Sequence, residues 1–381
     1  MKNHPIRFNQ TTIEGNELAY IREAVTEGHT SSGGPFTERV ATLLNEWFEA
    51  RGVILTTSCT DALEMAALLT EVEPGDEVIV PSFTFVSSAL AFARVGADLV
   101  FADIEDQFLS LDPDDVSSLI TDRTRAIVTV HYAGIGGPVP RLLDLSTERT
   151  SLIEDNAHGL FGQTADKKLG TFGRFSTLSF HETKNFTCGE GGALIVNDEA
   201  DVSRAHVLSD KGTNRKAFFE GKVDKYSWQD MGSSFGLSDL LAGYLLGQLE
   251  QRETVLERRR HVFDTYMNAF APLQHELGIR VPVVPDGSVP GYHMFYLLLP
   301  TTSSRPKILI GLRDRGISAT FHYVPLHSSV GGQKYAPRWR DLPVTDSVSQ
   351  RLIRLPFHNE LTDQDLDRVV TVTTEVIREN I

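Results

Sequence analysis

One lysine of the sequence is placed where its amine could react. Lys184 follows an apolar run that ends at Ser179, and Asn185 and a cluster of glycines at 189–192 come after it. Burial disfavours the charged ammonium and lowers the pKa of a lysine, and the neutral amine condenses with a carbonyl to give a Schiff base. The alternative is a solvated surface lysine, which is the usual situation for this residue type. Lys184 therefore indicates imine chemistry only in combination with other reactive groups.

Two carboxylates, Glu154 and Asp155, end an earlier apolar run that begins at Ser151. Successive side chains of a strand point to opposite faces, so only one of the two carboxylates faces a given side. Ligands of open α/β sheets bind beyond the carboxyl ends of the strands, where Asp155 is expected. A carboxylate there can hold a pyridine nitrogen protonated, which makes the ring an electron sink. The alternative role for Asp155 is that of a helix cap or turn residue.

Hydroxyl groups gather in the segment 57–61, between a predicted strand and a predicted helix. The hydroxyls and the free backbone N–H groups of a helix N-terminus can converge on a phosphate. The segment is neither a P-loop nor a dinucleotide fingerprint, because the sequence has no GxxxxGK[ST] and the glycines at 134–137 lack the GxGxxG spacing. An ordinary helix cap at Thr60 is the alternative.

These residues lie within a pattern of alternating strands and helices from residue 52 to about residue 198. The predicted strands are 52–56, 77–80, 97–102, 125–131 and 151–155. A helix from Thr60, capped by Ser58 or Thr60, follows the first strand. Such βα steps predict an α/β fold around a mostly parallel sheet. The glycine turn at 189–192 leads into a further strand at 193–197, for which an antiparallel direction is open.

The C-terminal part of the sequence has a different pattern. Apolar residues from Leu237 to Leu249 mark one face of a helix that is predicted to continue through 252–260 and to carry the chain between domains. Beyond about residue 271, a strand at 293–299, a helix at 307–316 and a strand at 318–323 predict a smaller α+β domain. We therefore expect a large α/β domain with an N-terminal arm at residues 1–255 and a small domain at 256–381.

The composition is that of an ordinary soluble globular protein, with 41% hydrophobic and 23% charged residues. The 36 basic and 51 acidic residues give a net charge of −15, which repels nucleic acid. Two cysteines are too few for a disulfide framework, and no Cys/His cluster predicts a metal site. The N-terminal residues lack the apolar core of a signal peptide, and no segment is apolar enough to span a membrane. We expect a cytoplasmic protein with no metal, nucleic acid or membrane partner.

In combination, the sequence resembles the sugar-nucleotide aminotransferases among the fold-type I pyridoxal phosphate enzymes, over nearly the whole chain. The stretches that carry the resemblance are Gly75-Asp-Glu-Val-Ile-Val-Pro-Ser-Phe-Thr-Phe85, Ile153-Glu-Asp-Asn-Ala-His158, Ser179-Phe-His-Glu-Thr-Lys-Asn185 and Gly189-Glu-Gly-Gly192. The resemblance implies a transaminase that uses pyridoxal 5′-phosphate (PLP) and its amine form (PMP). It also implies a mostly parallel seven-stranded sheet flanked by helices, and a homodimer with active sites at the subunit interface.

The resemblance also implies a role for each matching residue. Lys184 resembles the lysine that forms the Schiff base with the cofactor, and Asp155 the partner of the ring nitrogen. The remaining cofactor-binding positions are Phe85 stacked on the ring, His158 near the ring hydroxyl, and Cys59 (through its backbone N–H), Thr60 and Ser179 on the phosphate. Phe85 as a core residue and His158 as a satisfied core histidine are the alternatives.

A closer resemblance is to the TDP-4-keto-6-deoxyglucose 4-aminotransferases. The segments that carry it are His131-Tyr-Ala-Gly134, Lys211-Gly-Thr-Asn-Arg215, Asp224-Lys-Tyr226, Gly232-Ser-Ser234, His293-Met-Phe-Tyr296 and Phe321-His-Tyr-Val-Pro-Leu-His327. The implied reaction moves an amino group from L-glutamate to carbon 4 of the TDP-keto sugar. Lys211 and Arg215 could bind the diphosphate, with a solvated surface as the alternative.

One segment departs from the family. Many members read Gly-Tyr-Asn-Tyr-Arg where this chain has Gly232-Ser-Ser-Phe-Gly236, and their asparagine reaches the cofactor phosphate of the neighbouring subunit. Ser234 stands at that position, and its shorter hydroxyl is the expected substitute.

Three rival functions are considered beside amination at carbon 4. Amination at carbon 3 of a TDP-3-keto-6-deoxyhexose shares every cofactor residue. Deoxygenation at carbon 3 is disfavoured, because the enzymes that do it have histidine where this chain has Lys184. A non-catalytic PLP-binding regulator belongs to a different class and finds no DNA-binding segment in the sequence. The motifs leave the galacto and gluco configurations of the product open, together with the nucleotide preference and the pathway.

Overall fold

The computed structural model describes residues 4–164, 166–300 and 304–380. Its strands are β1 (Gly52–Thr56), β2 (Glu77–Pro81), β3 (Asp98–Ala102), β4 (Thr124–Val130), β5 (Ser151–Asp155), β6 (Gln163–Thr164), β7 (Lys167–Lys168), β8 (Phe175–Ser179), β9 (Gly192–Val196), β10 (Tyr296–Leu298) and β11 (Leu352–Arg354). Its α-helices are α1 (Glu17–Thr26), α2 (Pro35–Phe48), α3 (Cys59–Leu69), α4 (Ser87–Arg94), α5 (Pro113–Leu119), α6 (Val139–Asp144), α7 (Glu199–Ser209), α8 (Arg215–Phe219), α9 (Asp239–Glu250), α10 (Arg252–Phe270), α11 (Gln274–Leu277), α12 (Arg305–Asp314), α13 (Val330–Tyr335), α14 (Pro343–Arg351) and α15 (Asp363–Arg378).

Seven strands form one sheet in the order β1-β9-β8-β5-β4-β2-β3. Six of them run in the same direction, and β9 is antiparallel to both of its neighbours, β1 and β8. The predicted α/β class and the mostly parallel seven-stranded sheet are confirmed, and β9 takes the antiparallel direction. Because the carboxyl ends of parallel strands meet at one edge of a sheet, the ends of β2, β4, β5 and β8 lie together there.

Helix α3 begins at this edge. Its N-cap is Ser58, whose hydroxyl accepts a hydrogen bond from the backbone N–H of Asp61 at 3.0 Å. Alanine and leucine side chains are buried along the helix as it lies against β8 and β9 and beside α4. Capping by Ser58 and burial of this face fix the N-terminus of α3 beside the carboxyl end of β8.

The C-terminal part has its own core. One cluster of buried side chains runs from Val262 on α10 to Ile377 on α15 and includes Ile6 of the N-terminal arm, which bridges Ile317. A two-stranded antiparallel sheet, β10-β11, crosses this part. We propose the domain boundary between residues 255 and 256, within α10.

The structure corrects two predicted elements. The single helix that was expected from residue 237 through residue 260 is two helices, because the backbone at Gln251 leaves the helical region with φ −98° and ψ 18°. The expected strand at 318–323 has no ladder among the described residues. Thr320 forms one isolated bridge to Arg354, and the N–H of Ser318 donates to the carbonyl of Ile6 at 3.0 Å. His322 and Tyr323 lie outside any described strand and belong to the site described below.

None of the described helices combines the length and apolar character needed to cross a membrane.

Candidate active site

The Lys184 side chain projects from the connection between β8 and β9. Its backbone N–H donates to the carbonyl of His181 at 2.9 Å, which makes a tight turn. The next residue, Asn185, is buried and anchors the turn, because its Oδ1 lies 3.0 Å from Nδ1 of His293 and its amide nitrogen donates to the Gly291 carbonyl. The turn is therefore attached to the segment that leads into β10.

The amine of Lys184 is poised for proton transfer. Burial lowers the pKa of Lys184 from 10.5 to about 8; the negative charge of Asp155 opposes this shift, and the positive charge of Arg354 adds to it. An amine with this pKa is neutral in about a tenth of the molecules at pH 7, against far fewer for an ordinary lysine. Lys184 thus has the property that imine chemistry and general acid–base catalysis require.

Asp155 is buried at the end of β5, on the site side of the sheet. Its Oδ2 accepts a hydrogen bond from Ser88 at 2.6 Å, and its Oδ1 accepts one from the backbone N–H of Ala157 at 3.2 Å. Ser88 lies on α4 and is itself 2.8 Å from the hydroxyl of Thr84. This chain of hydroxyl groups fixes the orientation of the carboxylate.

The neighbouring carboxylate, Glu154, has a structural role on the opposite face. It accepts hydrogen bonds from the backbone N–H groups of Gly170, Phe172 and Gly173 at 2.7–2.8 Å and lies 2.7 Å from Nε2 of His131. Strand alternation therefore separates the pair as expected, with Asp155 directed toward Lys184 and Glu154 holding a loop.

The hydroxyl-rich turn before α3 lies next to the end of β8. Thr60 is hydrogen-bonded to Ser87 at 2.7 Å, and the thiol of Cys59 lies 3.6 Å from the hydroxyl of Thr177 on β8. Burial raises the pKa of Cys59, so the thiol stays neutral. Thr60 and Ser179 are both partly exposed, and the uncapped N–H groups at the start of α3 face the same edge.

Two aromatic side chains of the site have surfaces or atoms without a partner among the described residues. Phe85 lies in the connection between β2 and α4 and is 61% exposed. His158 is buried and stacks on His293 with ring centroids 4.2 Å apart, and its Nδ1 has no hydrogen-bond partner. Burial lowers the pKa of His158 well below 6.5, so the ring is neutral.

Tyr132 and residues of the C-terminal part form a polar wall beside the site. The hydroxyl of Tyr132 lies 3.2 Å from Nδ1 of His322, and Nη1 of Arg354 donates to Nε2 of the same ring at 2.6 Å. The ring of His322 stacks on Tyr323 with centroids 3.8 Å apart. Tyr132 and His158 rings are 6.0 Å apart, which connects this wall to the Lys184 side of the site.

Three predicted binding residues lie outside this cluster. Ser234 is exposed and forms an isolated bridge with Asp210, while the next carbonyl, of Phe235, accepts a hydrogen bond from Thr57 N–H at 2.8 Å. Lys211 and Arg215 are exposed and reach the carboxylate of Asp210 at 2.9 and 3.9 Å. Such exposed ion pairs exchange partners at little cost.

The sequence interpretation missed two residues of the site, Ser88 and Arg354. Ser88 gave no separate signal, because a serine in the first turn of a helix is common. Arg354 had a readable one, since it is a charged residue inside the otherwise apolar run 352–355 of a buried strand. The sequence indicates no separate role for four further residues, which stand in the segments that carry the closer resemblance: Tyr132, His293, His322 and Tyr323.

Comparison with known proteins agrees with this geometry. A family model described as the DegT/DnrJ/EryC1/StrS aminotransferase family matches residues 11–374. The spore coat polysaccharide biosynthesis protein SpsC of Bacillus subtilis is 28% identical over 99% of this chain and 98% of its own. The aminotransferase TlmJ of Streptoalloteichus hindustanus has a similar structure, with a TM-score of 0.89, 28% identity and 98% and 99% of the two chains covered.

The Spr1654 protein of Streptococcus pneumoniae is also similar, with a TM-score of 0.90 and 25% identity over 99% of this chain. Its structures are described as PMP and PLP forms and cover 98% and 99% of that chain. The residues of the present site fit such a cofactor. Lys184 offers an amine of lowered pKa, Asp155 an oriented carboxylate, His158 an unpartnered ring nitrogen and Phe85 an exposed aromatic face. These are the groups that PLP requires of its site.

Proposed function

Because this chain belongs to the DegT/DnrJ/EryC1/StrS aminotransferase family, whose members are PLP-dependent sugar aminotransferases, we propose that its substrate is TDP-4-keto-6-deoxy-D-glucose. The amino donor is L-glutamate, and the product is a TDP-4-amino-4,6-dideoxyhexose. The observation that carries the proposal is the half-buried amine of Lys184, with its pKa near 8, in a site that contains the oriented carboxylate of Asp155.

When bound, PLP supplies an aldehyde and an electron-withdrawing ring. Lys184 would hold the aldehyde carbon, and Asp155 would keep the ring nitrogen protonated. The exposed Phe85 would cover one face of the ring, and the unpartnered Nδ1 of His158 would be available to the ring hydroxyl. The backbone N–H of Cys59 and the hydroxyls of Thr60 and Ser179 bind the phosphate, with Ser234 of a neighbouring subunit as a further ligand.

Lys184 carries the proton in both half-reactions. In the first half-reaction, Nζ would take the proton from the α-carbon of the amino donor. In the second, the same atom would deliver a proton to carbon 4 of the sugar. A general base is most effective when its pKa lies near the working pH, as the lowered pKa of Lys184 does.

The choice of carbon 4 is supported by the segments that resemble 4-aminotransferases and line the site. Tyr132, His322 and Tyr323 belong to these segments and form the polar wall, and His293 belongs to them and contacts Asn185. Amination at carbon 3 uses the same cofactor residues and differs in how the sugar lies against this wall. The regulator reading loses its support, because the family consists of enzymes.

The test is to incubate the protein with TDP-4-keto-6-deoxyglucose and L-glutamate and to assign the ring couplings of the product by NMR. We expect one aminated product, whose couplings distinguish an axial from an equatorial amine. The TDP-3-keto isomer and the UDP-linked 4-keto sugar are the matched comparisons. Turnover of the 3-keto sugar alone would contradict the proposal.

We also propose a cytoplasmic homodimer with active sites at the subunit interface. The support is an exposed aromatic group around α8, of which Trp228 is 80% exposed and Phe219 71% exposed. Contiguous exposed apolar side chains of this size usually mark an interface. The group lies in the same part of the chain as Ser234, which would then reach the neighbouring site.

A further inference from the structure

Arg354 is a buried cation without an anionic partner among the described residues. It ends β11 in the two-stranded sheet of the C-terminal part, and only 9% of it is exposed. Burial lowers the pKa of Arg354, and the groups that oppose this shift are the phenols of Tyr132 and Tyr323 rather than carboxylates. A buried guanidinium is expensive to leave unpaired, which makes such residues rare unless they have a ligand.

The hydrogen bonds of Arg354 use only part of its donor capacity. Nη1 donates to Nε2 of His322 at 2.6 Å, and this imidazole is neutral, because burial lowers the pKa of His322 to about 2. The Nε atom is buried and has no hydrogen-bond partner in the described part of the chain. The carbon of the guanidinium lies 4.7 Å from the ring centroid of Phe8, so the arm covers one face of the group.

Arg354 belongs to the same site as Lys184. Its charge is close enough to lower the pKa of both Lys184 and His158. The hydrogen bond to His322 continues through Tyr132, whose ring is 6.0 Å from that of His158. A ligand bound at Lys184 would therefore lie beside the wall that contains the guanidinium of Arg354.

We propose that Arg354 binds a carboxylate group of the amino donor and so determines that the donor is an amino acid. This inference rests on the proposed function, since it concerns the glutamate half of that reaction. The Nε and one Nη of a guanidinium lie on the same edge and can donate to the two oxygens of one carboxylate. In Arg354, the Nε on this edge has no partner among the described residues. The carboxylate would also supply the negative charge that the buried cation lacks.

The geometry favours a carboxylate over the diphosphate of the nucleotide. Arg354 is nine-tenths buried beneath aromatic rings, where a planar carboxylate fits at the end of a small molecule. The exposed cations Lys211 and Arg215 are available for a diphosphate that extends into solvent. The two anionic groups of the substrates therefore have separate partners.

The test uses the PLP-loaded protein and glutarate, a dicarboxylate that has no amine to transfer. We expect Arg354→Met to weaken glutarate binding about 10- to 100-fold by calorimetry, which is the usual effect of losing a charged hydrogen-bond partner. Arg354→Lys keeps the positive charge and loses the paired N–H donors of the guanidinium, so it should weaken glutarate binding less than Arg354→Met does. If Arg354→Met fails to fold, the lysine variant still provides the comparison.

Arg351→Met and Arg351→Lys are the matched controls. Arg351 precedes the same strand, but its side chain bonds the backbone carbonyls of Ser347 and Leu299. TDP titration serves as the second ligand, and we expect its affinity to be unchanged in all four variants. In steady state, Arg354→Lys should raise KM for glutamate and leave KM for the keto sugar unchanged.

Three results would overturn the inference. The unmodified protein could fail to bind glutarate, or the Arg354 and Arg351 variants could bind it with equal affinity. The third is a loss of TDP affinity in the Arg354 variants that matches their loss of glutarate affinity. The glutarate titration needs no sugar. A failure to aminate carbon 4 would therefore reject the proposed function and leave the role of Arg354 tested separately.

Discussion

At the residue scale, the reactive centre depends on the balance of burial and charge around Lys184. Burial favours the neutral amine, while Asp155 favours the ammonium and Arg354 opposes it. The lysine is held by a tight turn and by the anchored Asn185, so its amine is positioned by the backbone rather than by a salt bridge. Reactivity and position thus have separate structural causes.

We predict that Lys184→Ala keeps the cofactor site and loses turnover. The variant retains Asp155 and the phosphate-binding turn, so it should still bind PLP in an equilibrium titration. Turnover should fall by at least about 10³-fold, since both the Schiff base and the proton carrier are removed. Lys307→Ala, an exposed lysine on α12, is the control and should be unaffected. Sustained turnover in the Lys184 variant would refute the assigned role.

The lowered pKa of Lys184 predicts the pH dependence of its reaction with PLP. The folded-state pKa of about 8 lies below 10.5, so the reactive neutral form is lost as the pH falls through 8. In the apoprotein, the rate of PLP binding to Lys184 should rise about tenfold per pH unit below pH 8 and level off above it. Stopped-flow absorbance measures this rate. A rise that continues to pH 10 would mean that the amine is not desolvated.

The orientation of Asp155 gives a third prediction. Ser88→Ala removes the 2.6 Å hydrogen bond to Oδ2 and leaves the charge of the carboxylate in place. We expect the cofactor still to bind and kcat to fall about 3- to 30-fold, whereas Asp155→Asn removes the charge and should cost more. Ser118→Ala, an exposed serine on α5, is the control. Equal effects of Ser88→Ala and Asp155→Asn would show that Ser88 does more than orient.

At the scale of elements, the proposed phosphate-binding turn before α3 depends on a close approach between β9 and α3. A Cβ atom on Gly192 would lie 2.5 Å from the backbone nitrogen of Cys59 and as close to the Ser58 carbonyl group. No real Cβ tolerates that contact, so only glycine lets the start of α3 lie beside the end of β8.

We predict that Gly192→Ala displaces the N-terminus of α3 and weakens PLP binding at least about tenfold. Fluorescence titration of the apoprotein measures the affinity. The control is Gly331→Ala on α13, where a Cβ meets nothing within 4 Å. An unchanged PLP affinity in a folded Gly192 variant would separate the phosphate site from this turn.

The elements around the catalytic edge could be predicted from the sequence because each carries a local signal. The bounds of β1 and β5 agree with the prediction, since short β-branched and apolar runs there end at turn residues. The break at Gln251 could not be predicted, because no glycine or proline marks it and packing sets the angle between α9 and α10. The run 318–323 has the composition of a strand, but a strand needs a ladder of pairs, and the described residues provide only the bridge between Thr320 and Arg354 and the bond from Ser318 to Ile6.

Residues of the candidate site could also be predicted only where the sequence carries a local signal. Lys184 and Asp155 were readable because each directly follows an apolar strand. Ser88 and Arg354 come from distant parts of the chain, and their roles depend on contacts that only the fold creates. Sequence reasoning thus gave the candidate residues at the sheet edge and missed Arg354 in the polar wall.

At the scale of the whole molecule, each proposed active site takes residues from two subunits. Lys184 and Asp155 lie in one chain, and Ser234 is exposed for a contact with the neighbour. We predict a particle of about twice 42.2 kDa in light scattering. A monomeric mass in the active protein would reject the interface site.

Mixing two inactive variants tests the shared site directly. Lys184→Ala lacks the amine, and Ser234→Trp should block the phosphate of the partner site. After the subunits are exchanged, half of the sites in a mixed dimer contain both native residues, so activity should return. If Ser234 acts on its own subunit, mixing should restore nothing.

Reduction of the PLP-loaded protein with borohydride, followed by peptide mass spectrometry, tests the central claim most directly. Borohydride converts a Schiff base into a stable secondary amine and so marks the lysine that formed it. We predict a single pyridoxyl group on the peptide that contains Lys184. A label on another lysine, or no label on a protein that binds PLP and turns over, would contradict the assignment.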